Sequence, residues 1–133
     1  MKRQIRRGTF ETNSSSVHSL VMCMKSDYDR WKNDNLFLFK GSAFGFNCKR
    51  EEAPQCDHFY TRDEAIAFEK KRKYSSINEC KNDDEIMDEL HENEWYDYDY
   101  FWDEYCEYYE TFENTMTTTN GEKVISFGYY GHD

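Results

Sequence analysis

Read for apolar spacing alone, the chain alternates short extended signals with helical ones. Residues 17–24, Val-His-Ser-Leu-Val-Met-Cys-Met, alternate at first and then turn continuously apolar, the pattern of a strand buried over much of its length. Residues 27–33 set Tyr28 and Trp31 three apart on one helical face, with Ser26 as candidate N-cap. Residues 36–39, Leu-Phe-Leu-Phe, give a second strand that Gly41 stops. Residues 41–60 hold the only proline, Pro54, two glycines, Cys48 and Cys56, and read as a long loop. Thr61-Arg62-Asp63-Glu64 is a capping box, in which hydroxyl and carboxylate satisfy each other's backbone amides. It opens a helix expected to reach about Tyr74, with Ala65, Phe68 and Ile66 inward. Lys70, Lys71, Arg72 and Lys73 fall near its C-terminus, where cations complement the dipole.

A second, longer helix is expected over residues 82–113, capped by Asn82 or Asp83. Its aromatics recur at alternating intervals of three and four: Trp95, Tyr98, Trp102, Tyr105, Tyr109 and Phe112, with Phe101 beside them. Such a stripe serves either to pack the core or to stack a ligand. Last, Asn120-Gly121 between a threonine run and residues 123–127 is the strongest short hairpin signal, matching a type I′ turn with positive φ at both positions. Together these elements predict an α+β fold: one domain over 1–133, with a small, mainly antiparallel sheet from the N-terminal strands and the C-terminal hairpin, covered by two helices.

Composition tests whether such a chain folds at all. Leu, Ile, Val and Phe number 22 of 133 residues, a fraction that with high net charge signals disorder. The 24 aromatics answer this, since each can bury roughly 150–250 Å²; an aromatic core is expected. No apolar run reaches the ~18 residues of a membrane span, and Met1-Lys2-Arg3-Gln4-Ile5-Arg6-Arg7 lacks the apolar segment of a secretory signal, so a cytoplasmic location is expected. The five cysteines are odd in number and contain no CxxC. They read as reduced thiols, although Cys48, Cys56 and His58 with Cys23 or Cys80 form a weak zinc alternative. No cofactor and no metal are expected.

Charge is divided along the chain. The net -10 separates into +5 over residues 1–81 and -15 over 82–133, and no Lys or Arg occurs between Lys81 and Lys123. Like charges four apart destabilise a helix, so the acids need either offsetting aromatic burial or a cationic partner. If 83–113 were continuous helix, its 14 carboxylates would lie about 3 Å apart along the axis, near the ~3.4 Å charge spacing of one nucleic-acid strand. The face is then a solvated one, or one folded against the basic front, or a decoy for a nucleic-acid-binding protein; chelation of a hard cation is a further alternative. Direct DNA binding is not expected of so acidic a chain, although Lys49, Arg50 and residues 70–73 could form a local patch.

The opening segment carries the other concentration of chemistry: Glu11, Asn13, Ser14, Ser15, Ser16 and His18 lie within eight residues. A Ser/Asn-rich turn feeding a strand can form an anion-binding concavity with Arg3, Arg6 or Arg7 as counter-charge, or its hydroxyls simply fix the turn. No GxSxG elbow, P-loop or GxGxxG accompanies it. The stretch Arg6-Arg7-Gly8-Thr9-Phe10-Glu11-Thr12-Asn13-Ser14-Ser15-Ser16-Val17-His18-Ser19-Leu20 resembles the opening of a group of small, largely uncharacterised proteins of bacteriophages and prophages of Gram-positive bacteria. The resemblance covers 15–20 residues and implies a phage origin and an α+β domain, with no settled activity.

The leading expectation is therefore a phage-encoded, non-enzymatic inhibitor that occupies the nucleic-acid site of a host defence protein, such as a CRISPR effector or restriction enzyme. The residues expected to carry it are Glu92, Glu94, Asp97, Asp99, Asp103, Glu104, Glu107 and Glu110. The alternative is an enzyme or phosphate-ligand binder centred on Glu11, Asn13, Ser14, Ser15, Ser16 and His18.

Overall fold

The computed structural model describes residues 5–7 and 17–130, with side chains from Leu20 onward. It is an α+β fold with two sheets. The first has four strands in the order β1 (Ile5–Arg7), β6 (Glu110–Thr117), β7 (Lys123–Tyr130), β2 (Val17–Met24). Its β1–β6 pair is parallel, with Ile5 opposite Thr111, and its other pairs are antiparallel. The second is antiparallel, in the order β4 (His58–Tyr60), β3 (Phe37–Phe39), β5 (Trp95–Tyr96). The one sheet expected from sequence is thus two, because the apolar pair Trp95–Tyr96 and the segment His58–Tyr60 are strands rather than helix and loop.

Alternation along the second sheet divides the core. Leu38 and Tyr96 face a cluster with Val21, Tyr28, Trp31, Phe101, Trp102, Ile125 and Phe127. Phe37, Phe39 and Trp95 face the other way, onto Phe46, Ala53, Ala65, Ile77 and Leu90. Successive strand side chains point to opposite faces, and with both faces covered the strand reads as an unbroken apolar run. The expected aromatic core is present in both clusters.

Helix α1 (Lys25–Asn33) follows β2 without a loop, so Met24 occupies the N-cap and Ser26, the expected cap, already lies inside the helix. Its buried residues are Tyr28 and Trp31, as the spacing indicates. Helix α2 (Arg62–Glu69) begins at the capping box: Thr61 Oγ1 accepts from Glu64 N at 3.1 Å and Thr61 N donates to Glu64 Oε1 at 2.8 Å. It ends five residues short of Tyr74. Lys70 is the C-cap, its N–H bonded to Ile66 O, and the chain then leaves the helix, so that Arg72 bridges to Phe46 as an extended pair and Lys73 lies beyond the helix end.

The largest correction concerns residues 82–113, which are not one helix. Helix α3 (Asp83–Glu92) is capped by Asn82, whose side chain accepts from Glu85 N at 2.9 Å. It stops at Asn93, and Glu94 takes a left-handed φ of 73°. After β5 comes α4 (Tyr98–Tyr100), which runs into a π turn at Phe101–Tyr105 where Cys106 N reaches back to Phe101 O at 3.0 Å. The three-four spacing survives only for Tyr98, Trp102 and Tyr105; Trp95 and Phe112 reach the core from strands. The C-terminal hairpin is correct in place but not in turn type. Gly121 alone takes positive φ, at 83°, and Asn120 does not, so a three-residue loop with a glycine bulge replaces the two-residue type I′ turn. Thr118 N closes it on Glu122 O at 2.8 Å. Among the described residues no helix is long and apolar enough to cross a membrane.

Candidate acidic interface

The sequence posed the question of how an acidic helix without cations holds together. Much of its charge is engaged by hydrogen bonds and one ion pair. Asp83 meets Arg62 at 3.0 Å across an exposed surface. Glu85 Oε1 accepts from Lys81 N and its Oε2 from Asn82 Nδ2, which serves the capped first turn. Glu89 Oε2 accepts from Ser76 N at 2.9 Å and from Asn93 Nδ2 at 2.8 Å, fixing the preceding loop and the helix C-cap. Asp84, Asp88 and Glu92 form no ion pair among the described residues. Among the described residues Arg62 is the one cation of the basic front that forms an ion pair with this helix.

What breaking the helix does is fold its acids towards each other. The left-handed turn at Glu94 and the reversal through β5 return the chain to the C-terminal end of α3. There His91 Nε2 lies 2.7 Å from Asp97 Oδ1, and the His91 ring stacks on Tyr100 with centroids 3.8 Å apart. Burial raises the Tyr100 hydroxyl above its ordinary pKa, and the carboxylates of Glu104, Asp88, Asp97 and Glu92 add to the shift. Four acids from α3, the α4 cap and the π turn thus act electrostatically on one phenol. Burial would raise Asp97 too, but the His91 hydrogen bond and charge outweigh it and hold Asp97 below the usual carboxylate range. Next to this group, burial and Glu94 push Tyr96 up to about 12.

The tyrosines form a chain of rings: Tyr100 stacks on Tyr96 at 5.3 Å, Tyr96 meets Tyr105 at 4.7 Å, Tyr105 meets Tyr129 at 5.5 Å, and Tyr129 stacks on Tyr109 at 4.3 Å. Of the acids beside this row of rings, Asp97 is held in place, by His91.

Of the acids expected to carry function, Glu92, Asp97 and Glu104 are brought together and Glu94 is exposed beside them. Asp99 is exposed on α4, and Asp103 is half-buried in the π turn. Glu107 follows that turn, and Glu110 opens β6 opposite Tyr130. The stripe expected to present all eight on one helix does not exist. Sequence reasoning missed Asp88, His91 and Tyr100 as members of the group. Asp88 stands four before Glu92 on the same helical face, a signal that was available; the His91–Asp97 contact crosses a reversal and had none. The alternative site fares differently: Glu11, Asn13, Ser14, Ser15 and Ser16 lie outside the described residues, and for His18 only the backbone, in β2, is described.

Among the described residues no group of three or more His, Cys, Asp or Glu side chains gathers as a metal ion requires. All five cysteines are unpaired thiols, and burial pushes those of Cys23 and Cys106 up to about 12. Comparison with protein-family models, with curated proteins and with solved structures gives no match.

Proposed function

We propose that this chain is a phage-encoded, non-enzymatic inhibitor that acts in the cytoplasm of the infected bacterium by presenting an acidic face to the basic nucleic-acid site of a host defence protein. The observation that carries the reading is the fold-back that sets Asp97 against His91 at 2.7 Å and stacks His91 on Tyr100, so that Asp88, Glu92, Asp97 and Glu104 all act electrostatically on that phenol, within a stretch that contains no Lys or Arg from 82 to 122. The near match to the linear charge of one strand required a continuous helix and falls with it. A compact acidic face on a rigid aromatic scaffold takes its place. Such a face raises association rates with a basic cleft and makes them fall with salt. The N-terminal resemblance supplies the phage context.

The test is affinity capture from a Gram-positive bacterial lysate with the intact chain and with a variant in which Asp88, Glu92 and Glu104 are changed to lysine. The expected result is a nucleic-acid-binding protein retained by the native chain, released by moderate salt and absent from the variant. Retention of the same proteins by both chains would overturn the reading.

A further inference from the structure

The end of the molecule built from residues 41–50 and 70–74 has the opposite chemistry. Phe46 and Arg72 form an isolated antiparallel bridge, closed by Asn47 N to Lys71 O at 2.6 Å and Lys73 N to Gly45 O at 2.9 Å. The bridge joins two segments that contain no acid: residues 41–50 hold Lys49 and Arg50, and residues 70–74 hold Lys70, Lys71, Arg72 and Lys73. Arg72 is committed to the interior, bonded to Glu69 and lying over the Phe46 ring at 4.4 Å. Lys49, Arg50, Lys70, Lys71 and Lys73 are exposed and form no ion pair among the described residues.

Two aromatics stand in the same place. Phe44 is 93% exposed and Tyr74 88% exposed, and each lies two residues from the bridge, Phe44 before Phe46 and Tyr74 after Arg72. Gly45, at φ 98°, makes the turn that releases Phe44 from the line of the buried Phe46. A groove of about 380 Å³ opens beside Phe44, lined also by Ser42, Ala43, Cys48 and Arg50. Neither ring contributes to the core, and leaving a large apolar ring in water has no structural benefit.

We propose that this patch binds single-stranded nucleic acid, with bases stacked on Phe44 and Tyr74 and phosphates held by Lys49, Arg50, Lys70, Lys71 and Lys73. Exposed rings interleaved with cations suit unstacked bases of any sequence, whereas a duplex presents no ring face. Neighbouring Glu51 and Glu52 limit the cationic surface to these two segments, so the site fits a few nucleotides. This site borders the C-terminal end of α3, where Arg72 Nη2 donates to Asn93 O and Ser76 N to Glu89 Oε2, but it uses other side chains than the acidic face and does not depend on the function proposed for that face.

The experiment is a fluorescence-anisotropy titration of the intact chain against labelled oligothymidylate, oligouridylate, a mixed-sequence duplex and anionic phospholipid vesicles. Binding of a single strand is expected, with a log–log salt slope of about -2 to -4 for three to five phosphates. Preference between the two oligomers identifies the source as DNA or RNA. Phe44→Ala and Tyr74→Ala should each weaken binding about tenfold, and Lys70, Lys71 and Lys73 changed together to Glu should abolish it. Changing Asp88, Glu92 and Glu104 to lysine should not weaken it. Absence of single-strand binding at low salt, tighter binding of the duplex, binding of vesicles alone, or native affinity in both alanine variants would each overturn the proposal.

Discussion

The indole nitrogen of Trp95 donates to Glu69 Oε2 over 2.8 Å, joining β5 to the last residue of α2 deep inside the protein. Glu69 has no exposed surface, and its carboxylate is filled by donors: Arg72 Nε at 2.8 and 3.0 Å, Ser75 Oγ at 2.8 Å, and the indole. A buried carboxylate is tolerated when paired and fully hydrogen-bonded. Removing it strands both the guanidinium and the indole. Glu69→Ala should therefore cost about 3–5 kcal/mol, measured as a fall in the urea midpoint, and Glu69→Gln, which keeps one acceptor, should cost less. A loss below about 1 kcal/mol for the alanine variant would contradict this account of the network.

Trp31 occupies the centre of the other cluster. Its ring meets Tyr28, Phe59, Tyr98, Phe101 and Phe127, and its Nε1 donates to Tyr96 O at 3.0 Å, which ties α1 to β5. Trp31→Ala should cost about 3–5 kcal/mol by thermal or urea unfolding. Phe44→Ala, at the exposed rim, should change stability by less than about 0.5 kcal/mol.

These two networks show what was legible beforehand. Tyr28 and Trp31, the capping box at Thr61 and Glu64, the Asn82 cap and the strand over Val17–Met24 follow from local rules, and each is found. The interruption of residues 82–113 was not legible in the same way, because period-3.6 spacing cannot distinguish one helix from two short ones with a strand between when every segment is aromatic. The clue lay in Asn93-Glu94, a pair that permits a left-handed exit, but Glu94 is an unusual residue for that conformation. The acids stand out in the sequence as a run without cations. Their gathering on Tyr100 needed the chain reversal, which only tertiary packing decides.

Glu94 itself yields a prediction. At φ 73° a side chain is strained and glycine is not. Glu94→Gly should raise stability by up to about 1 kcal/mol while removing one carboxylate from the acidic face. Calorimetry should show a higher Tm, and capture of the basic partner should weaken slightly.

The His91–Asp97 contact makes acid stability depend on one imidazole. Asp97 is held below its unfolded pKa by His91, so the folded protein binds fewer protons there than the unfolded chain does. The resulting stability is fully present above the unfolded value of about 4 and is lost as pH falls through the lower folded value. His91→Gln should flatten the acid limb of a plot of unfolding free energy against pH between about pH 5 and pH 2. An unchanged acid limb would mean that the 2.7 Å contact contributes nothing.

The central claim is that the acidic face occupies a nucleic-acid site. Its most direct measurement is displacement: the captured host protein is loaded with labelled nucleic acid, and the chain is titrated in. Stoichiometric release of the label is expected for the native chain. The variant with Asp88, Glu92 and Glu104 changed to lysine should give none, and the Phe44→Ala variant, altered on the basic patch, should release the label like the native chain. A stable ternary complex of host protein, nucleic acid and native chain would contradict the account.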